Sequence, residues 1–117
     1  MTKIYYYISP VGENPVKKFL NSIPETQQTK ISRIFAYIAE YGLGTYIPYV
    51  KKIVNSHLWE IRILGQNNIR VLYAVIYKGD VLLLQGFLKK KQKTPKKELR
   101  IANTRYLEWL KSGLLTK

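Results

Sequence analysis

The nine residues from Ile69 to Tyr77 constrain the fold more than any other segment of the chain. The odd positions, Ile69, Val71, Tyr73, Val75 and Tyr77, are apolar, and so are the even positions Leu72, Ala74 and Ile76. A strand with one solvated face alternates apolar and polar residues, so a strand apolar on both faces belongs inside a sheet, buried from both sides. Arg70 alone interrupts this pattern, and a cation on such a strand needs a reason to be there.

The neighbouring segments predict the rest of the sheet. In Leu58 to Leu64, Trp59, Ile61 and Ile63 share one face while Glu60 and Arg62 share the other. Gly65 to Asn68 is turn material, and Gly79-Asp80 leads into a further apolar run, Val81 to Leu88. Three consecutive strands predict an antiparallel meander. A turn over Gly65 to Ile69 pairs Leu64 with Arg70 and Arg62 with Leu72, which sets Glu60, Arg62 and Arg70 on one face. A four-residue turn sends Arg70 to the other side, and the sequence leaves that parity open.

Upstream, Lys3 to Ile8 reads as a strand that stops at Pro10 and Gly12. Asn14-Pro15 caps a short helix over Pro15 to Asn21, and the pattern restarts after Ser22 and Pro24. Ile31, Ile34, Phe35 and Ile38 then form one helical stripe that ends near Gly42 and Gly44. Two antiparallel helices across the sheet would bury that stripe. Residues 43–57 read as a loop. Thr94-Pro95 caps a last helix in which Leu99, Ala102, Tyr106 and Leu110 keep helical spacing before Gly113 ends it. The expected class is α+β, with the order strand, two helices, three strands, helix, in one domain of 117 residues.

The run Phe87 to Leu99 joins the last strand to that helix and carries six lysines in nine positions, 89 to 97. Close exposed cations repel by about 1 kcal/mol per pair, so the run is best tolerated beside an anion. Lys89 to Lys117 holds ten cations against two carboxylates, within a chain whose net charge is +13. A basic footprint on one flank suits a nucleic acid, and the 13% aromatic content favours RNA. Lys51, Lys52, Lys89, Lys91 and Lys93 are the phosphate-binding candidates. The absence of cysteine excludes disulfides and thiolate zinc sites, and the single histidine supplies metal chemistry poorly, so no metal or cofactor is expected. With neither a signal-peptide pattern nor an apolar run approaching about 18 residues, the chain reads as cytoplasmic and without a membrane partner.

Cleaving RNA without a metal needs a base for the 2′-hydroxyl, cations for the phosphorane charge and a proton donor for the departing 5′-oxygen. Glu60 is the candidate base, Arg62 and Arg70 the phosphate clamp, and Lys90 or Lys89 the charge stabiliser or acid. The competing reading makes Glu60 and Arg62 an ion pair on a solvated face. His57, before a strand, reads as a surface or packing residue; Tyr73 and Tyr77 read as packing, and Trp59 and Trp109 as core anchors.

The segments LWEIRI (58–63), IRVLYAV (69–75) and LLLQGFLKKKQKTPKKELRIANTRYLEW (82–109) resemble the phage-derived, HigB-like branch of the RelE/ParE toxin superfamily. The resemblance rests on Phe87, Lys89, Lys90, Lys93, Thr94 and Pro95, followed by Glu98, Ala102 and Arg105. It implies the RelE-like microbial RNase fold and a type II toxin that cuts mRNA on the ribosome without a metal. It also implies a helix-turn-helix, HigA-like antitoxin as partner. By position, Arg70 matches the superfamily arginine at the scissile phosphate, Arg62 a common catalytic basic residue, Glu60 the acid of the E-x-R pattern, and Lys90 a functional Arg or Lys. No histidine or tyrosine follows Lys90 closely, where several members carry one, so the general acid stays open. The alternatives are a non-catalytic basic nucleic-acid-binding module and a structural protein whose basic face holds an acidic partner.

Overall fold

The computed structural model describes residues 1–43, 50–63, 65, 68–90 and 94–117. The elements are β1 (Ile4–Tyr7), α1 (Pro15–Ser22), α2 (Glu25–Tyr41), β2 (Val50–Lys52), β3 (Leu58–Ile63), β4 (Ile69–Ile76), β5 (Asp80–Leu88), α3 (Lys96–Ser112) and β6 (Leu115–Thr116). They form an α+β structure of three helices and one mixed six-stranded sheet in the order β2-β3-β4-β5-β1-β6. β3, β4 and β5 are antiparallel neighbours in sequence order, and β1 runs parallel to β5 with Ile4 opposite Val81.

The double-sided apolarity of β4 has a direct cause, because each of its faces is covered by helix. Val71 and Tyr73 join Ile61, Ile63 and Leu83 in a core closed by Val16 and Leu20 of α1 and by Ile31, Ile34 and Ile38 of α2. Leu72, Ala74 and Ile76 join Leu58, Leu82, Leu84 and Phe87 in a second core closed by Ala102 and Trp109 of α3. The C-terminal helix therefore packs on the sheet. Asn14 caps α1 as expected, its side-chain oxygen accepting from the Lys17 N–H at 3.1 Å, with Pro15 in the first turn. Gly42 and Gly113 close α2 and α3 with positive φ of 83° and 72°; Gly44 lies outside the described residues.

Several expectations are corrected. The β3–β4 ladder pairs Ile63 with Ile69 and Arg62 with Arg70, one pair displaced from Leu64 opposite Arg70. The connection still has odd parity, so Glu60, Arg62 and Arg70 do share a face. Within the expected 43–57 loop lies β2, a three-residue edge strand on β3, too short for period-two alternation to reveal. β6 pairs with β1 beyond Gly113 and was equally invisible. On α3 the bulkier Trp109 takes the sheet-facing position beside Ala102 and Tyr106, leaving Leu110 55% exposed. Tyr77 falls past the end of β4 at φ 44° and stands exposed against the edges of Tyr5 and Trp109. Trp59 is only half-buried and stacks on the fully buried Tyr73.

Gly86 marks where α1 crosses β5, since a Cβ there would lie 2.4 Å from Cδ2 of Phe19. Gly86→Ala is expected to lower stability by about 1–3 kcal/mol in urea unfolding through this overpacking. Adding Phe19→Leu should return part of the loss.

Candidate functional site

The strand register sets out two adjacent cross-strand rows on the α3 side of the sheet. One runs Lys51, Glu60, Leu72 and Gln85, and the other Arg62, Arg70 and Phe87. Because directly opposed residues share a face, Lys51, Glu60, Arg62 and Arg70 converge towards the β2–β3 edge, while α3 packs mainly on β5, β4 and β1. Lys89 completes the group one residue beyond β5, its backbone N–H donating to the Asn68 carbonyl at 2.9 Å and extending the ladder.

Glu60, Arg70 and Lys89 are only 1%, 6% and 9% exposed. Charges at that depth are costly unless they are paired. Glu60 Oε1 lies 3.6 Å from Arg70 Nε, and Glu60 Oε2 accepts a short hydrogen bond from the Thr94 hydroxyl. Arg70 Nη1 donates to the Ile69 carbonyl at 3.1 Å, but Nε has no hydrogen-bond partner among the described residues. Burial lowers the Arg70 pKa from its ordinary value, with Glu60 opposing the shift and Arg62 adding to it. Lys89 is lowered as well: burial is the main cause, Glu60 resists, and Arg70, Arg62 and Lys51 push in the same direction as burial. Four cations thus surround one carboxylate, and a second anion is the natural complement of such a cluster.

Of the sequence-predicted residues, the structure brings together Glu60, Arg62, Arg70, Lys51 and Lys89. The competing reading, an ion pair of Glu60 with Arg62 on a solvated face, is not what forms: Glu60 is buried and pairs diagonally with Arg70, and Arg62 remains exposed. Lys52 does not join: it stands opposite Trp59, its ammonium 5.3 Å from that ring and donating to the Ser56 carbonyl. Lys90 is exposed next to the buried Lys89, and Lys91 and Lys93 lie outside the described residues. His57 is exposed and stacked on Tyr106.

Thr94-Pro95 has the pattern of a helix cap, yet α3 begins after Pro95 with no side-chain cap, and the Thr94 hydroxyl turns to Glu60 instead. Nothing in the local pattern separates the two roles. The Glu98, Ala102 and Arg105 motif belongs to the anchoring of α3. Gln85 donates to Glu98 at 2.7 Å, and Arg105 donates to the Leu84 carbonyl and to Gln85. Tyr7 donates to Glu108, and burial together with that carboxylate pushes its hydroxyl up to about 12 despite Arg105.

The site is thus a buried carboxylate ringed by cations on an open sheet edge, with an excess of positive charge. The chain matches the family described as Phage derived protein Gp49-like (DUF891) over residues 18–107, and it belongs to that family. The matched stretch includes every candidate site residue, and the family is linked to toxin–antitoxin modules. No curated protein matches the chain. No helix among the described residues is long and apolar enough to cross a membrane.

A double-mutant cycle tests the buried pair. Glu60→Gln and Arg70→Gln are each expected to destabilise the fold, and the double variant to lose less than the sum, with a coupling of about 1–3 kcal/mol in urea unfolding.

Proposed function

We propose that this protein is the toxin of a type II toxin–antitoxin pair, a HigB-like, ribosome-dependent mRNA endoribonuclease of RelE-like fold. The observation that carries the reading is the cluster of Lys51, Arg62, Arg70 and Lys89 around the buried Glu60. Arg70, whose Nε makes no hydrogen bond among the described residues, and the exposed Arg62 bind the scissile phosphate and stabilise the charge that develops on it. Glu60 takes the 2′-hydroxyl proton as the 2′-oxygen bonds to phosphorus. The bond from phosphorus to the 5′-oxygen breaks, and Lys89 returns a proton to that oxygen. The products are a 2′,3′-cyclic phosphate and a 5′-hydroxyl, with no metal in the sequence of steps.

In the free protein Thr94 donates its hydroxyl to Glu60 Oε2, the contact that the substrate 2′-hydroxyl takes over in this reading. Lys89 suits the acid role better than Lys90, because burial and neighbouring cations weaken its hold on the proton. One observation favours a second reading, a non-catalytic basic nucleic-acid-binding module: Glu60 is 1% exposed with both oxygens engaged. The partners in the leading reading are mRNA on the ribosome, in the cytoplasm, and a helix-turn-helix antitoxin. Carboxylates on the antitoxin would meet the basic face, and the +13 charge would speed that encounter.

Tightly induced expression with primer extension on a translated message tests the proposal. Wild type should arrest growth and give new 5′ ends that disappear with Arg70→Gln and when translation is blocked. Normal growth with an intact message, despite soluble protein, overturns the nuclease reading.

Lys89→Ala should slow cleavage by about 10²–10⁴-fold, whereas Lys90→Ala should change it only a few-fold. An acid must hold its proton, so the rate should fall as pH rises through its pKa. That limb should lie below the ordinary lysine value of 10.5, since burial lowers Lys89, and should vanish in Lys89→Ala. A profile identical in the two proteins assigns the acid elsewhere.

A further inference from the structure

Beside the cluster, the turn between β2 and β3 and the first turns of α3 enclose an open cleft of about 540 Å³. We propose that this cleft is a nucleotide subsite on the strand that carries the scissile phosphate, holding a base over His57 and Leu99 and its adjoining phosphate on Lys96 and Arg100. The proposal rests on the reading that the cluster binds RNA, and deepens it.

Two chain segments link the cleft to the cluster. Leu58 lines it and lies two residues before Glu60 on the same face of β3, about 7 Å along the strand. Lys96 lines it and follows two residues after Thr94, whose hydroxyl is bonded to Glu60. Arg62 and its cross-strand partner Arg70 lie four residues along β3 from Leu58, about 13 Å, a distance that a short stretch of extended RNA spans.

The chemistry of the lining fits a base with its phosphate. The volume falls within the range of small-molecule pockets, about 300–1,000 Å³. The exposed His57 ring is held near-parallel to Tyr106, with centroids 5.7 Å apart and 29° between planes, so it presents a positioned aromatic surface. Leu99 adds apolar surface, and the amides of Asn55 and Asn103 offer both donors and acceptors to a base edge. Lys96 and Arg100 are the charged side chains of the lining, which holds no carboxylate among the described residues.

The turn is also pre-organised. Asn55 occupies the left-handed region at φ 59°, Ser56 Oγ donates to the Ile53 carbonyl and accepts from the Leu58 N–H, and Lys52 donates to the Ser56 carbonyl. An acidic peptide would satisfy Lys96 and Arg100 equally well, but it would leave the imidazole surface and the paired amides unused. That asymmetry favours RNA.

The test is fluorescence anisotropy of the full chain with a short 2′-O-methyl oligoribonucleotide, which binds without being cleaved. His57→Ala and Arg100→Ala are each expected to weaken binding by about tenfold, with Lys111→Ala, in the last turn of α3, close to wild type. In the cleavage assay both cleft variants should raise KM and alter base preference near the cut while retaining the cluster-dependent kcat. If Arg70→Gln abolishes oligonucleotide binding while both cleft variants match wild type, the subsite is overturned and the cluster reading stands. If an oligoglutamate peptide binds through Arg100 and the cleft variants hold RNA normally, the cleft belongs to an acidic partner and the subsite is again overturned. If wild type neither binds the oligonucleotide nor cuts a translated message, the functional proposal fails and the subsite with it.

Discussion

The pairing of β3 with β4 is the constraint on which the rest of the structure depends. Ile61, Ile63, Ile69 and Val71 must all face α1 and α2, and a slip of one residue would move an entire apolar set to the opposite side of the sheet. The core on one face therefore dictates that Glu60, Arg62 and Arg70 stand together on the other. The charged cluster is a by-product of hydrophobic register. Its buried members are then fixed by the Glu60–Arg70 pair and by Thr94, which ties the segment entering α3 to the centre of the site.

Much of this was legible from the chain because the period of the strands is short and the signal strong. The two-sided apolar run of β4, the alternation of β3 and the helical stripe of α2 each satisfy one geometric rule over several residues. Arg70 stood out for the same reason, as a cation where the pattern demands apolar cover. What escaped was set by contacts distant in sequence. β2 and β6 are too short to show a period and exist because a partner strand is present. The placement of Lys51 in the site and of Lys52 outside it follows from β2 alone. Thr94 looks like a cap in any local window, and only the fold reveals that Glu60 lies within its reach. The choice between Lys89 and Lys90 likewise depends on burial, which one residue of alternation decides.

The basic surface is thus more structured than a run of lysines suggests. Two tiers of charge are present: a buried tier of Glu60, Arg70 and Lys89, and an exposed tier of Lys51, Arg62 and Lys90. Exposed cations supply salt-dependent attraction for any polyanion, whereas buried ones are oriented and poorly solvated, so they interact strongly with charge that appears beside them. The buried tier carries a folding cost, which the Glu60–Arg70 pair offsets in part. The Gp49-like family to which the chain belongs is linked to toxin–antitoxin modules.

The most direct test of the account is the chemistry of the ends made when purified protein acts on an mRNA held in programmed ribosomes. Attack by the neighbouring 2′-hydroxyl predicts a 2′,3′-cyclic phosphate on the upstream fragment and a 5′-hydroxyl on the downstream one, both absent with Arg70→Gln. A 5′-phosphate with a 3′-hydroxyl, or an uncut message in the presence of folded protein, would contradict it.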